Sequence, residues 1–106
     1  PERALALAEE TPLASLPVDQ RVEMALVIAG ARRDLGQVDA ALLALELPEL
    51  RSGSSESTVR LQYAYADALA AAGRDTEARE WFVRVRDADP EEITDAAQRL
   101  DALTAS

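Results

Sequence analysis

The chain has 106 residues, with 20 acidic and 11 basic side chains and a formal net charge of -9, and it contains no Cys and no His. The missing cysteines exclude disulfides, thiolate zinc sites and cysteine nucleophiles, and the missing histidines remove the commonest general base and metal ligand. The negative charge argues against nucleic acid or an anionic membrane as a partner, because proteins bind phosphates largely with cations.

The N-terminal half is predicted to form three helices separated by prolines and a glycine. Residues 1–10 are rich in Ala and Leu after an initial Pro, which is typical of a short helix. A second helix is predicted over residues 19–35 and a third over residues 37–47, with Gly36 between them supplying the positive φ that a helix end prefers. The following polar segment, residues 51–57, has no apolar anchor and is predicted to be a mobile loop.

The C-terminal half is also predicted to be helical. Apolar residues recur at spacings of three and four over residues 58–72, 75–88 and 91–104, which is the pattern of helices with one buried face. Gly73 and Pro90 separate these three segments. No part of the chain alternates apolar and polar residues, so the sequence predicts an all-α protein without strands.

A pattern of glycines, small residues and apolar residues repeats at an offset of 37 residues. The pairs at this offset are Gly36 and Gly73, Val22 and Val59, Ala41 and Ala78, and Leu45 and Phe82. A further shift of the pattern by 37 residues toward the N-terminus matches residues 1–10 to the second helix of a unit whose first helix is missing. Small residues are expected where two helices approach closely, at Ala29, Ala41, Ala66 and Ala78.

The second unit carries a family resemblance. Ala78, Phe82 and Pro90 follow the spacing A-x-x-x-F and a later Pro, and Gly73 lies at the turn. This pattern resembles the tetratricopeptide repeat, a helix-turn-helix unit of about 34 residues. Gln62 departs from it, because the family has Trp there. With its basic residues all Arg, the chain looks like the carboxy-terminal part of a longer tetratricopeptide protein of high-GC bacteria.

The resemblance implies a single domain over residues 1–106, built from antiparallel helix-turn-helix repeats stacked as a short right-handed superhelix of about five helices, with residues 91–104 as a capping helix. It also implies a concave groove, lined by the first helix of each repeat, that holds a peptide or a partner protein. The residues that it implies on this groove are Glu23, Leu26, Val27, Gly30, Arg33, Arg60, Tyr63, Ala64, Asp67 and Ala70. Tyr63 and Tyr65 are two apart on one helix, so they cannot both face inward.

We expect a protein–protein interaction module or scaffold that binds a neutral or basic partner and performs no catalysis. A structural or oligomerising segment of a larger protein is the alternative, with self-association through the exposed N-terminal edge. The acidic residues around Asp89 and Glu91 are interpreted as stabilising a helix start rather than as a metal or catalytic site. No cofactor, targeting signal or membrane span is expected, and the expected localisation is cytoplasmic.

Overall fold

A computed structural model describes residues 16–52 and 55–105, and within them it contains α-helices and no β-strand. The all-α class is therefore confirmed for this part of the chain. The predicted helix over residues 1–10 lies outside the described residues. The helices are α1 (Val18–Asp34), α2 (Val38–Ala44), α3 (Glu49–Ser52), α4 (Glu56–Ala71), α5 (Asp75–Ala88) and α6 (Ala96–Ala105).

The helices α1 and α4 end in the same backbone motif. Gly36 has φ 76° and Gly73 has φ 78°, which confirms the positive φ expected at Gly36. At Gly36 the amide donates to the carbonyl three residues earlier (2.9 Å), and the next amide donates to the carbonyl five residues earlier (2.8 Å). The same two bonds at Gly73 measure 3.0 and 2.9 Å. This double hydrogen bond satisfies helix-end carbonyls and turns the chain back into the next helix.

One hydrophobic core joins the helices. The helix α1 packs on α2, α4 packs on α5, and α4 also contacts α1, α2 and α3, while α6 packs on α5. The four small residues predicted at close helix contacts are all buried, at Ala29, Ala41, Ala66 and Ala78. The largest fully buried side chains are Phe82, Leu45, Leu50, Leu61 and Leu69.

The segment between α2 and α4 differs from the prediction. The helix α2 ends at Ala44 instead of about Leu47, and residues 49–52 form the short helix α3. The anchor of α3 is Leu50, which is fully buried and lies one residue before the segment assigned as a loop. Its carbonyl accepts a hydrogen bond of 2.9 Å from Gln62 Nε2. The first two residues of the predicted loop, residues 51 and 52, therefore belong to a helix that is tied to α4.

The start of α4 is capped by Ser55, three residues before the helix start predicted at residue 58. The Ser55 hydroxyl accepts the Thr58 amide at 3.2 Å, and the helix begins at Glu56. A side-chain acceptor at this position satisfies one of the amides that a helix start leaves unpaired. Glu56 and Ser57, the last two residues of the predicted loop, thus belong to the first turn of α4.

The last helix begins at Ala96, five residues later than predicted. Asp89 holds the preceding turn, because its carboxylate accepts the amides of Ile93 and Thr94, each at 2.9 Å, and the Thr94 hydroxyl at 2.7 Å. Burial alone raises the pKa of Asp89, but these hydrogen bonds outweigh it and hold the pKa below the ordinary value. The interpretation of Glu91 at a helix start was therefore wrong.

Candidate functional site

The two predicted rows of groove residues lie on α1 and α4, and the structure links them by side-chain contacts. Arg60 Nη1 donates to Glu23 Oε1 at 2.5 Å, and Arg33 Nη1 donates to Asp67 Oδ2 at 2.6 Å. Four of the predicted residues therefore form two cross-helix ion pairs. We call the surface that carries the predicted residues the α1–α4 face.

A hydroxyl contact extends the same row toward the beginning of both helices. Ser57 Oγ donates to Asp19 Oδ1 at 2.8 Å. The ends of α1 and α4 border a solvent-open cleft of about 510 Å³. Its lining residues are Asp19, Glu23, Ser55, Glu56, Ser57 and Arg60. With three carboxylates and one guanidinium, this end of the α1–α4 face favours cations.

The sequence analysis missed two polar residues at the other end of the face. Arg99 on α6 donates to Asp67 Oδ1 at 2.8 Å and to the Tyr63 hydroxyl at 3.2 Å. The Tyr63 hydroxyl donates to Asp95. No periodic pattern in the sequence marks Arg99, because its contact with Asp67 depends on where α6 packs.

These contacts set the protonation states of Asp67 and Tyr63. Burial raises the pKa of Asp67, but hydrogen bonds from Arg33 and Arg99 outweigh it, so its pKa lies below the ordinary value. Burial and the hydrogen bond to Asp95 raise the pKa of Tyr63. At neutral pH the carboxylate of Asp67 is thus ionised between two guanidinium groups, and the phenol of Tyr63 keeps its proton.

The two tyrosines of α4 take different positions, as their spacing requires. Tyr65 is buried, and its hydroxyl donates to Glu46 Oε1 at 2.7 Å. Tyr63 is half-buried, with its ring edge-on to Phe82 at a centroid distance of 5.7 Å. The hydroxyl of Tyr63 is already engaged by Asp95, so a partner would meet a fixed side chain there.

The exposed apolar part of the α1–α4 face lies on α1. Val27 is 49% exposed, and Gly30 is exposed in the middle of the helix. A Cβ atom placed on Gly30 would meet no heavy atom of the described chain within 4 Å. Leu26, Ala64 and Ala70 are half-buried and pack against the core. Val27 and Gly30 are one turn apart, so together they form a small exposed apolar patch.

A second polar cluster surrounds Trp81, which lies on α5. The guanidinium groups of Arg84 and Arg51 lie 4.6 and 5.5 Å from the centre of its ring. Arg51 belongs to α3, and Tyr65 packs edge-on at 4.9 Å. The buried indole therefore joins α5 to α3 and α4.

No metal centre and no membrane-spanning helix is found among the described residues. Residues 16–52 and 55–105 contain no group of three or more acidic side chains placed to hold a metal ion. In the same part of the chain, every helix is too short or too polar to cross a bilayer.

Comparison of the chain with protein-family models, curated proteins and solved structures found no match. The resemblance to the tetratricopeptide repeat therefore rests on the chain's own residues.

Proposed function

We propose that the chain is a protein–protein interaction module that holds a segment of a partner protein on the α1–α4 face. The helix pairs α1–α2 and α4–α5 are proposed to be successive tetratricopeptide-like repeats of a right-handed superhelix. Their equal glycine turns, 37 residues apart, support this arrangement. The packing of α4 against both helices of the preceding pair supports it as well. The first helices of the repeats then form one continuous binding surface.

The observation that carries the proposal is the small apolar patch of Val27 and Gly30, which lies between two ion pairs. The pair Glu23–Arg60 lies before Val27 and Gly30 in the sequence of α1, and Arg33 follows them with its partner Asp67. Both ion pairs join α1 to α4, so the two helices present their side chains in a fixed arrangement. A preorganised surface loses less conformational entropy when a partner binds.

The chemistry of the face favours recognition over catalysis. Arg33 and Arg99 are paired with Asp67, and Tyr63 is engaged by Asp95, so these groups serve to position one another. The sequence has no His or Cys to act as base or nucleophile. With a formal net charge of -9, the chain attracts neutral or basic partners more readily than acidic ones.

A peptide library tests the proposal. Displayed random peptides are selected on the immobilised protein, and the selected sequences are then measured against two variants. Val27→Glu places a carboxylate on the apolar patch and is expected to weaken binding at least tenfold, because a charged group replaces the apolar contact. Leu43→Glu is the matched control, since Leu43 is 75% exposed on α2, outside the α1–α4 face. Peptides that are sensitive to Leu43→Glu and insensitive to Val27→Glu would contradict the proposed site.

Self-association is a second candidate function, favoured by one observation. Val18, Val27 and Leu35 are 40%, 49% and 39% exposed, and all three belong to α1 or its C-terminal cap. A second copy of the chain that covered α1 would bury them. Sedimentation at rising protein concentration distinguishes the two functions. A stable dimer that Val27→Glu converts to monomer supports self-association, and a monomer that binds library peptides supports the interaction module.

A further inference from the structure

Gly30 has no reason for being glycine within the described structure. Its φ lies outside the left-handed region, unlike those of Gly36 and Gly73. An added Cβ atom would contact no heavy atom within 4 Å there, so packing inside the chain does not exclude a side chain. Glycine in the interior of a helix is destabilising relative to alanine. A glycine that neither the backbone nor the packing requires allows another backbone to come close at that position.

The surroundings of Gly30 indicate the chemistry of that neighbour. The exposed stripe of α1 contains Asp19, Glu23, Val27, Gly30 and Asp34, at the three- and four-residue spacings that place side chains on one side of a helix. The ends of this stripe are acidic and its middle is apolar. Asp34 forms no ion pair with any residue of the described ranges. The carboxylate of Asp19 is bound by a hydroxyl, which leaves its charge uncompensated.

The two arginines that link α1 to α4 do not cancel the negative charge of Asp19 and Asp34. Arg60 is paired with Glu23, and Arg33 is paired with Asp67. Asp67 is also paired with Arg99, and neither Asp19 nor Asp34 forms an ion pair with these arginines, so the charges of Asp19 and Asp34 remain at the two ends of the stripe. A partner that carries cations at both ends therefore complements the stripe, and a partner that carries carboxylates is repelled.

The small size of the apolar patch favours an extended partner over a helical one. A helix that docks through its apolar face presents side chains over several turns and needs a matching apolar stripe. Here Val27 and Gly30 are flanked on both sides by acidic residues. An extended chain presents one side chain at a time to the surface. Its backbone can then lie against Gly30, where no side chain holds it away.

We propose that the partner is an extended peptide lying along α1, with an apolar side chain on Val27, its backbone against Gly30, and Lys or Arg about three residues before and after the apolar residue. The spacing follows from helix geometry. Val27 lies about 12 Å along the helix from Asp19 and about 10 Å from Asp34, at a rise of 1.5 Å per residue. An extended chain covers each distance in about three residues. This inference rests on the proposed function and gives the partner its chemical class.

Synthetic peptides test the inference directly. The probe is a fluorescein-labelled nine-residue peptide with the sequence Gly-Arg-Ser-Gly-Leu-Ser-Gly-Arg-Gly, and binding is measured by fluorescence anisotropy. Replacing its Leu by Ala, or both Arg by Glu, is expected to weaken binding at least tenfold. Equal binding of the Leu and Ala peptides would contradict the inference, because attraction would then depend on charge alone.

Protein variants locate the binding. Gly30→Gln adds an uncharged side chain at the proposed backbone contact and is expected to lower the affinity for the Leu-containing probe at least tenfold. Asp34→Asn removes the charge at one end of the stripe and is expected to lower the affinity for the same probe about threefold. Circular dichroism spectra establish that both variants are folded, and Leu43→Glu is the control. Unchanged affinity of the folded Gly30→Gln variant would overturn the inference.

The outcome separates the inference from the proposed function. If library-selected peptides lose affinity with Val27→Glu, but the Arg-Leu-Arg probe does not bind, the interaction module stands and the extended basic partner is wrong. If neither the library peptides nor the probe bind at Val27 and Gly30, both proposals fail. A probe that binds and depends on Val27, Gly30 and Asp34 supports both.

Discussion

The same substitution is predicted to have opposite effects at two glycines of this chain. Gly30 lies inside α1, and a Cβ atom there meets nothing of the described structure within 4 Å. Gly30→Ala should therefore raise the free energy of unfolding by about 1 kcal/mol, the difference in helix propensity. Gly73 has φ 78°, where an L-residue with a Cβ is strained. Gly73→Ala should lower the free energy of unfolding by about 1 to 2 kcal/mol.

Urea denaturation and thermal unfolding, both followed by circular dichroism, measure the two effects. For a domain of this size, a change of 1 kcal/mol shifts the melting temperature by about 4–8 °C. Gly30→Ala should therefore melt higher and Gly73→Ala lower than the parent chain. A fall in stability for Gly30→Ala would refute the reasoning, because glycine would then be needed inside the fold and would no longer point to a partner.

Two further predictions concern the core and the ion pairs. Ala78 is fully buried, so Ala78→Leu should lower the free energy of unfolding by about 1 to 3 kcal/mol. The control is Ala71→Leu at an exposed position, which should change the free energy of unfolding little. Equal stability of the two variants would contradict the pairing of α4 with α5. Pairing lowers the pKa of Asp67, so its stabilising contribution is complete above the pKa of an unfolded aspartate, about 3.9, and is lost as pH falls through the lower folded value. Urea titrations over this pH range should show a shallower loss of stability for Asp67→Asn than for the parent, and identical slopes would contradict the assignment.

The regular part of the fold could be predicted because local signals there agree with the tertiary packing. Gly36 and Gly73 mark the turns, and apolar residues at helical spacing mark the buried faces of the long helices. The prediction was wrong where a single tertiary contact decides the local structure. The burial of Leu50 orders α3, and the carboxylate of Asp89 delays the start of α6. Neither contact leaves a periodic pattern in the sequence.

The candidate site could be predicted in outline but not in its contacts. The family resemblance selected Glu23, Arg60 and Asp67 as groove residues, and the structure shows that they form ion pairs. Arg99 was missed because its role depends on how α6 packs beside α4, which a pattern on α6 alone does not reveal. The special character of Gly30 also required coordinates, since only they show that a side chain would fit there.

The central claim is that a partner segment binds on the α1–α4 face, and a two-dimensional ¹H–¹⁵N nuclear magnetic resonance titration tests it most directly. The labelled chain is titrated with a peptide selected from the library. The account predicts the largest chemical shift changes at Val27, Gly30 and Ala64. Changes centred on Leu43 and its neighbours in α2, with Gly30 unaffected, would contradict it.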